Sequence, residues 1–132
     1  MKLGFTGTQQ GMSAMQAKLL RSELQLYKPT EFHHGDCVGA DAEAHEIVEA
    51  EFPNIKIVVH PPINPAKRAF KWGDEGRIAK DYLMRNRDIV NETDRLVAAP
   101  KGDTEELRSG TWATIRYAIK ARKPYTILSR GA

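Results

Sequence analysis

The chain has 132 residues, 41% of them hydrophobic, and a formal net charge of +3. This length and apolar fraction predict one domain with a hydrophobic core, and charged residues interrupt every apolar run, which excludes a membrane-spanning helix. Met1 leads directly into a predicted strand, so we expect no signal peptide, and Cys37 is the sole cysteine, so no intrachain disulfide forms. Together these features predict a cytoplasmic protein.

Strand and helix signals alternate along the chain. Ser13 is suited to cap a first helix that carries residues 15–26, while Pro29 and Pro53 mark the ends of the first two helical regions. The predicted strands are 2–6, 31–34, 55–60, 95–99 and 125–128. The further predicted helices cover about 42–51, 82–91 and 110–121.

The stretch 61–80 is predicted to be a long irregular loop, since prolines occupy its first part and glycines its last. Loops of this length in compact domains are usually functional or disordered. Phe70 and Trp72 lie inside it and favour partial docking rather than a free tail. Their rings are candidates to close over a bound base, or to pack on a neighbouring subunit.

The alternation of strands and helices predicts an α/β fold with helices on both faces of a mainly parallel, five-stranded sheet. Right-handed crossovers give the strand order 3-2-1-4-5, with a switch point between strands 1 and 4. Ligands of such sheets bind at the carboxyl ends of the strands beside the switch point. We therefore expect one domain over 1–132, with its site at this edge.

Two turns at that edge have the composition of phosphate-binding loops. Ser109, Gly110 and Thr111 open the last helix, where unpaired N–H groups and the helix dipole attract anions. The alternative is an ordinary N-cap, which does not exclude phosphate binding. Gly7-Thr8-Gln9 follows the first strand and is suited to a phosphate or a ribose, or else forms a tight bend. Two such turns favour a nucleotide-like ligand.

A third turn begins at Gly35 and ends at Asp41. Asp36 ends a strand on the ligand side, where its carboxylate is placed to bind ribose hydroxyls, whereas Asp41 is at least as suited to the helix dipole as to a ligand. Histidines lie near these groups, but no zinc template matches their spacing, and neighbouring strand residues point to opposite faces. We therefore expect no metal site. The residues concerned are His33, His34, Asp36, Cys37, Asp41 and His45.

Four motifs in this order resemble the SLOG superfamily of Rossmann-like proteins, and among them the small members related to YspA and YpsA. The motifs span 4–8, 34–41, 82–90 and 106–112, so the resemblance covers nearly the whole chain. It implies a Rossmann-like three-layer fold and binding of a nucleotide or nucleotide derivative; beyond this nucleotide-type ligand, the sequence identifies no particular cofactor. It also implies self-association, because superfamily members often form dimers or larger oligomers.

The lysine-decarboxylase-like Lonely Guy phosphoribohydrolases are better-known members of this superfamily. Their Met-x-x-Arg pattern is matched by Met84 and Arg87, and their Gly-Thr by Gly110 and Thr111, but Thr114 stands where they have glutamate. The resemblance implies that Arg87 holds a phosphate, for which a guanidinium is well shaped. The alternative for Arg87 is an ion pair with an acidic residue on the same helix.

These observations favour a sensor or carrier of a nucleotide-derived small molecule. The alternative is an enzyme that hydrolyses or transfers an N-glycosidic bond, with Glu105, Glu106 or Asp36 as the carboxylate. Whether the chain is an enzyme stays open. A second alternative is a DNA-processing role, since DNA-processing protein A shares the superfamily. Nucleic-acid binding is less favoured, because few aromatic residues are interleaved with the basic ones.

Overall fold

In the computed structural model, residues 1–131 are described, and six parallel strands form one sheet between two layers of helices. The strands are β1 (Lys2–Gly7), β2 (Glu31–His34), β3 (Lys56–Val59), β4 (Glu75–Gly76), β5 (Arg95–Ala99) and β6 (Tyr125–Ile127). The helices are α1 (Ala14–Tyr27), α2 (Ala40–Glu51), α3 (Tyr82–Glu92) and α4 (Gly110–Lys120), with a 3-10 turn at Pro65–Lys67.

The predicted count of five strands is wrong, because the stretch 61–80 contributes a sixth. Its two residues Glu75 and Gly76 pair with Val58 and Val59 of β3, which makes the order β4-β3-β2-β1-β5-β6. This edge strand is defined by backbone hydrogen bonds and by ion pairs of Glu75, and it has no apolar alternation that sequence reasoning detects. The other five strands stand in the order predicted for them.

Alternating side chains place one core on each face of the sheet. Leu3, Phe5 and Val97 pack with Leu20 of α1 and Val48 of α2 in the larger core. On the other face, Leu96 packs with Ile89 of α3 and Ala118 of α4, and Ala98 packs with Trp112. Since the chain crosses from one side of β1 to the other between β4 and β5, the switch point lies between β1 and β5.

Local signals explain how the helices begin. Ser13 caps α1 in a capping box with Gln16, as its sequence predicts. α2 starts earlier than predicted, at Ala40, because Gly39 adopts φ +91° and packs against the turn after β1. A Cβ on Gly39 would lie 2.3 Å from the Gln9 carbonyl oxygen. The β1 and β2 turns therefore fit closely against each other at the ligand edge of the sheet.

The four helices are short or polar. Across residues 1–131, none of the helices combines the length and the apolar character that a bilayer span requires.

Candidate functional site

A cavity of about 350 Å³ opens at the carboxyl ends of β1 and β5. The turn after β1 forms one wall, and the starts of α3 and α4 form the others. Its position agrees with the rule that ligands of open parallel sheets bind beside the switch point. The cavity brings together Gly7, Thr8, Gln9, Gly35, Glu106, Ser109, Gly110 and Thr111 of the predicted site.

The start of α4 forms a wall with unpaired donors. Ser109 is the N-cap, and its hydroxyl accepts a hydrogen bond from the Trp112 N–H at 3.2 Å. The N–H groups of Gly110 and Thr111 have no acceptor among residues 1–131. Arg108 lines the same wall and forms no ion pair within the described residues. Capping therefore uses one N–H of the helix start and leaves two for an anion.

The turn after β1 offers fewer donors than its sequence suggests. The Thr8 N–H donates to the Ala99 carbonyl at 3.0 Å, which ties the turn to the end of β5. The Gln9 N–H has no acceptor within residues 1–131, and the Gln9 side chain donates to the Tyr82 hydroxyl at 3.1 Å. Gly7 is required for packing, since a Cβ there would lie 2.5 Å from the Ala40 Cβ.

Asp41 presents a buried carboxylate to the cavity. Its side chain is 4% exposed, its Oδ2 accepts from the Cys37 N–H at 3.3 Å, and its Oδ1 has no partner within the described chain. Burial raises the pKa of Asp41 to about 6, against the opposing effect of the Arg85 guanidinium. Burial and the Asp41 charge also raise the pKa of the Cys37 thiol, so it is not a nucleophilic thiolate.

Arg85 is the cation whose charge acts on this carboxylate. The guanidinium is 4% exposed, lines the cavity and donates to the carbonyls of Gly35 and His60 and to the Asn86 side chain. It also lies over the Tyr82 ring at 5.0 Å. These contacts fix its position, so Arg85 supplies a permanent positive charge rather than a movable side chain.

Two predicted site residues lie outside the cavity. Arg87 is exposed, and its guanidinium stacks on the Tyr117 ring at 5.3 Å instead of facing the ligand edge. Asp36 is fully buried with its Oδ2 accepting from the Arg68 Nε at 2.6 Å, so it anchors the 61–80 stretch. The α3 arginine that lines the cavity is Arg85, two residues before Arg87, because a helix turns such neighbours to different faces.

Of the two glutamates expected near the phosphate turn, only one lines the cavity. Glu106 lies at the cavity and pairs with Lys101 at 3.3 Å, while Glu105 pairs with Arg116 at 2.8 Å. Thr114 stands where the Lonely Guy enzymes have glutamate; it is buried and donates its hydroxyl hydrogen to the Gly110 carbonyl. The carboxylate facing the cavity from its buried side is therefore Asp41.

The aromatic residues of the 61–80 stretch do not line the cavity. The Trp72 side chain is 81% exposed, and the half-exposed Phe70 ring lies under the Arg68 guanidinium at 4.8 Å. Tyr82 does line the cavity, and its Cε1 would lie 3.1 Å from a Cβ on Gly110.

The histidines divide between the two faces of the sheet. His34 pairs with His45 at 2.9 Å, and His33 pairs with His60 at 2.8 Å. The set of residues considered for a metal from the sequence is thus not assembled at one point.

Sequence reasoning underrated three cavity residues: Asp41, Arg85 and Tyr82. A helix-face signal was present for Arg85, since it precedes Ile89 by four residues on the buried side of α3. Asp41 follows Gly39 at a helix start, where an acidic residue has a structural explanation that hides its contribution to a cavity. Tyr82 is the first residue of the 82–90 motif, but no binding role was assigned to its ring.

Comparison with known proteins establishes the fold but no family. No family model matches the sequence, and no curated protein matches it. Among solved structures, the molybdenum cofactor binding protein of Rippkaea orientalis superposes with a TM-score of 0.70 at 19% identity, over 96% of this chain and 74% of that one.

Two further structures share the fold. DNA processing protein A from Streptococcus pneumoniae has a TM-score of 0.67 at 18% identity, over 96% of this chain and 49% of that one. TM1055, a structural-genomics target, has a TM-score of 0.60 at 18% identity, over 94% of this chain and 71% of that one. The chain is thus similar to these proteins in having a Rossmann-like α/β fold.

Proposed function

We propose that this chain is a SLOG-type protein that binds a nucleotide or nucleotide derivative in the cavity between β1 and β5, as a sensor or carrier. The observation that carries the proposal is the start of α4, where two unpaired N–H groups and Arg108 face the cavity. Such a wall suits a phosphate. One protein of the same fold binds a cofactor, which agrees with small-molecule binding.

Asp41 lines another wall of the cavity and favours a ligand that also has hydroxyl or amine groups as hydrogen-bond donors. Asp41 Oδ1 accepts no hydrogen bond within the described chain, and a buried acceptor that stays unpaired costs free energy. Ribose hydroxyls supply donors of this kind. The cavity volume of about 350 Å³ lies near the lower end of ligand pockets, roughly 300–1,000 Å³, and favours a mononucleotide over a dinucleotide.

Isothermal titration calorimetry with nucleoside monophosphates, ADP-ribose and inorganic phosphate tests this function. Replacing Gly110 by Asp adds a negative charge at the proposed phosphate position and is expected to abolish binding in a folded protein. Arg108→Gln should weaken binding, whereas Arg87→Ala is the matched control, because Arg87 stacks on Tyr117 outside the cavity. Unchanged affinity in folded Gly110→Asp would refute the location.

N-glycosidic cleavage is the second candidate function, and Asp41 favours it. A carboxyl whose pKa is about 6 is suited to exchange a proton near neutral pH. Incubation with nucleoside monophosphates, followed by mass spectrometry for free base, separates the two functions. Base release that is lost in Asp41→Asn but kept in Arg87→Ala would establish the enzyme; retention of intact nucleotide would establish the binder.

Self-association remains part of the proposal. Trp72 and Ile78 are 81% and 85% exposed, and apolar side chains of this size are often covered by a partner. A dimer or larger oligomer in light scattering, reduced to monomer by Trp72→Ser, is the expected result. A monomeric wild-type chain would refute the proposed self-association.

Salt-sensitive binding of DNA in the same buffer would instead support the DNA-processing alternative.

A further inference from the structure

Two buried imidazoles and a carboxylate converge on the α3 face of the sheet. His33 lies in β2, His60 follows β3, and Glu92 is the last residue of α3. One ligand atom from each side chain lies within 4.8 Å of the others. Within residues 1–131, this is the one trio of His, Cys, Asp or Glu side chains that meets this distance. Three separate elements of the fold therefore bring metal-binding atoms to one point.

We propose that His33, His60 and Glu92 bind a divalent transition-metal ion of the zinc class. Two imidazole nitrogens, one carboxylate oxygen and an open fourth position form a donor set that suits Zn²⁺ and non-haem Fe²⁺. The site lies outside the proposed nucleotide cavity, so it adds a second binding activity. A bound ion would link β2, β3 and the end of α3 in one cross-connection.

Glu31 prepares His33 as a ligand. Its Oε1 lies 2.8 Å from the His33 Nε2, and an ionised carboxylate only accepts hydrogen bonds, so the Nε2 atom carries the hydrogen. The lone pair of His33 then lies on Nδ1, on the side of His60. Metal-binding histidines commonly donate their other N–H to a carboxylate in this way, which fixes the ring and increases its basicity.

The present geometry requires only a small opening to hold an ion. The His33 Nδ1 and His60 Nε2 atoms are 2.8 Å apart, whereas two nitrogens on a tetrahedral zinc are about 3.3 Å apart, given Zn–N bonds of about 2.05 Å. His60 would move its hydrogen from Nε2 to Nδ1, which changes the tautomer without changing the charge.

Arg77 is the competitor for the carboxylate. Its Nε donates to the Glu92 Oε1 at 2.9 Å, and its NH1 group donates to the Glu75 Oε2 at 2.8 Å. An ion on Glu92 would displace one of these contacts and leave the other in place. If these side chains form only a hydrogen-bonded network, removing Arg77 should destabilise that network. If Glu92 binds a metal ion, removing Arg77 should increase the affinity for the ion.

The test uses the full chain after chelator treatment, titrated with Zn²⁺ in a calorimeter and with Co²⁺ in a visible spectrometer. We expect one ion per chain and the intense visible absorption of tetrahedral Co²⁺. Both signals should be lost in His60→Gln and Glu92→Gln. His45→Gln is the matched control, because His45 is equally buried and belongs to the histidine pair on the other face of the sheet.

Two further variants separate metal binding from a structural role. Glu31→Gln should weaken Zn²⁺ affinity by about 10–100-fold, since the carboxylate behind a ligating histidine has effects of this size. Arg77→Gln should tighten it. If His60→Gln does not fold, Glu92→Gln still decides, because its side chain is only partly buried. No saturable binding by the wild type, unchanged binding in Glu92→Gln, or equal loss in His45→Gln would overturn the proposal.

Discussion

Replacing Asp41 by asparagine tests the electrostatics of the cavity most directly. Burial raises the pKa of this carboxyl from 3.8 to about 6. An acid whose pKa is raised on folding stabilises the folded state fully below its unfolded value, and that contribution is lost as the pH rises through the folded value. The ionised Asp41 side chain therefore destabilises the folded protein above about pH 6.

The size of the effect follows from the two pKa values. The difference between 3.8 and about 6 corresponds to about 3 kcal/mol, at 1.36 kcal/mol for each pH unit. Asparagine loses the attraction of a negative charge for the start of α2, which is about 0.3–1 kcal/mol. Its amide oxygen keeps the hydrogen bond from the Cys37 N–H, and its NH₂ group lies unpaired where Oδ1 is unpaired within the described residues, so one unpaired buried group replaces another. The expected net gain at pH 8 is about 2 kcal/mol.

Urea denaturation of wild type and Asp41→Asn at pH 4 and pH 8 measures this gain. The variant should be more stable at pH 8 and nearly equal at pH 4, and comparison at each pH cancels the effects of the buried histidines. Asp36→Asn is the control with the opposite sign, because Asp36 accepts from Arg68 and from the Lys71 N–H, and asparagine tolerates its φ of +54°. A difference between wild type and Asp41→Asn that is the same at both pH values would refute the reasoning.

Three further outcomes test the placement of the site. Gly110→Ala should weaken nucleoside monophosphate binding tenfold or more in calorimetry, because its Cβ would lie 3.1 Å from the Tyr82 ring and narrow the entrance; unchanged affinity would show that the ring moves freely. The affinity of Arg87→Ala for a nucleoside monophosphate should lie within about twofold of the wild-type affinity. A tenfold loss would indicate that Arg87 binds the phosphate. Gly39→Ala should lower the free energy of unfolding by more than about 2 kcal/mol in urea, given its φ of +91° and the 2.3 Å approach of a Cβ to the Gln9 carbonyl oxygen. Wild-type stability of that variant would mean that the turn relaxes.

Much of the fold was predictable because its signals are local and repeated. Ser13 caps α1 through its own side chain, and the predicted strands 31–34 and 95–99 match the structure to the residue. The strand Glu75–Gly76 was not predictable, since only its pairing with β3 defines it. Side-chain pattern identifies strands that bury a face, and this edge strand buries little.

The site was predictable where it depends on backbone position and not where it depends on side-chain direction. The two Gly-Thr turns lie at the cavity because strand ends and helix starts follow from topology. Arg87 and Arg85 differ by two residues on one helix, so an error of one helix face changes which of them lines the cavity. The burial of Arg85, Asn86 and Ile89 shows which face of α3 points inward, whereas a motif match alone does not show it.

The charges around the cavity narrow the kind of ligand that fits. The α4 start, Arg85, Lys101 and Arg108 favour a phosphate, whereas Asp41 and Glu106 line the same space and oppose a bare anion. A ligand with a negative charge at one end and hydrogen-bond donors at the other satisfies both sets of groups. Inorganic phosphate satisfies only the first, so we predict that the cavity prefers phosphorylated sugars to phosphate itself, because Asp41 Oδ1 is an acceptor without a donor within residues 1–131.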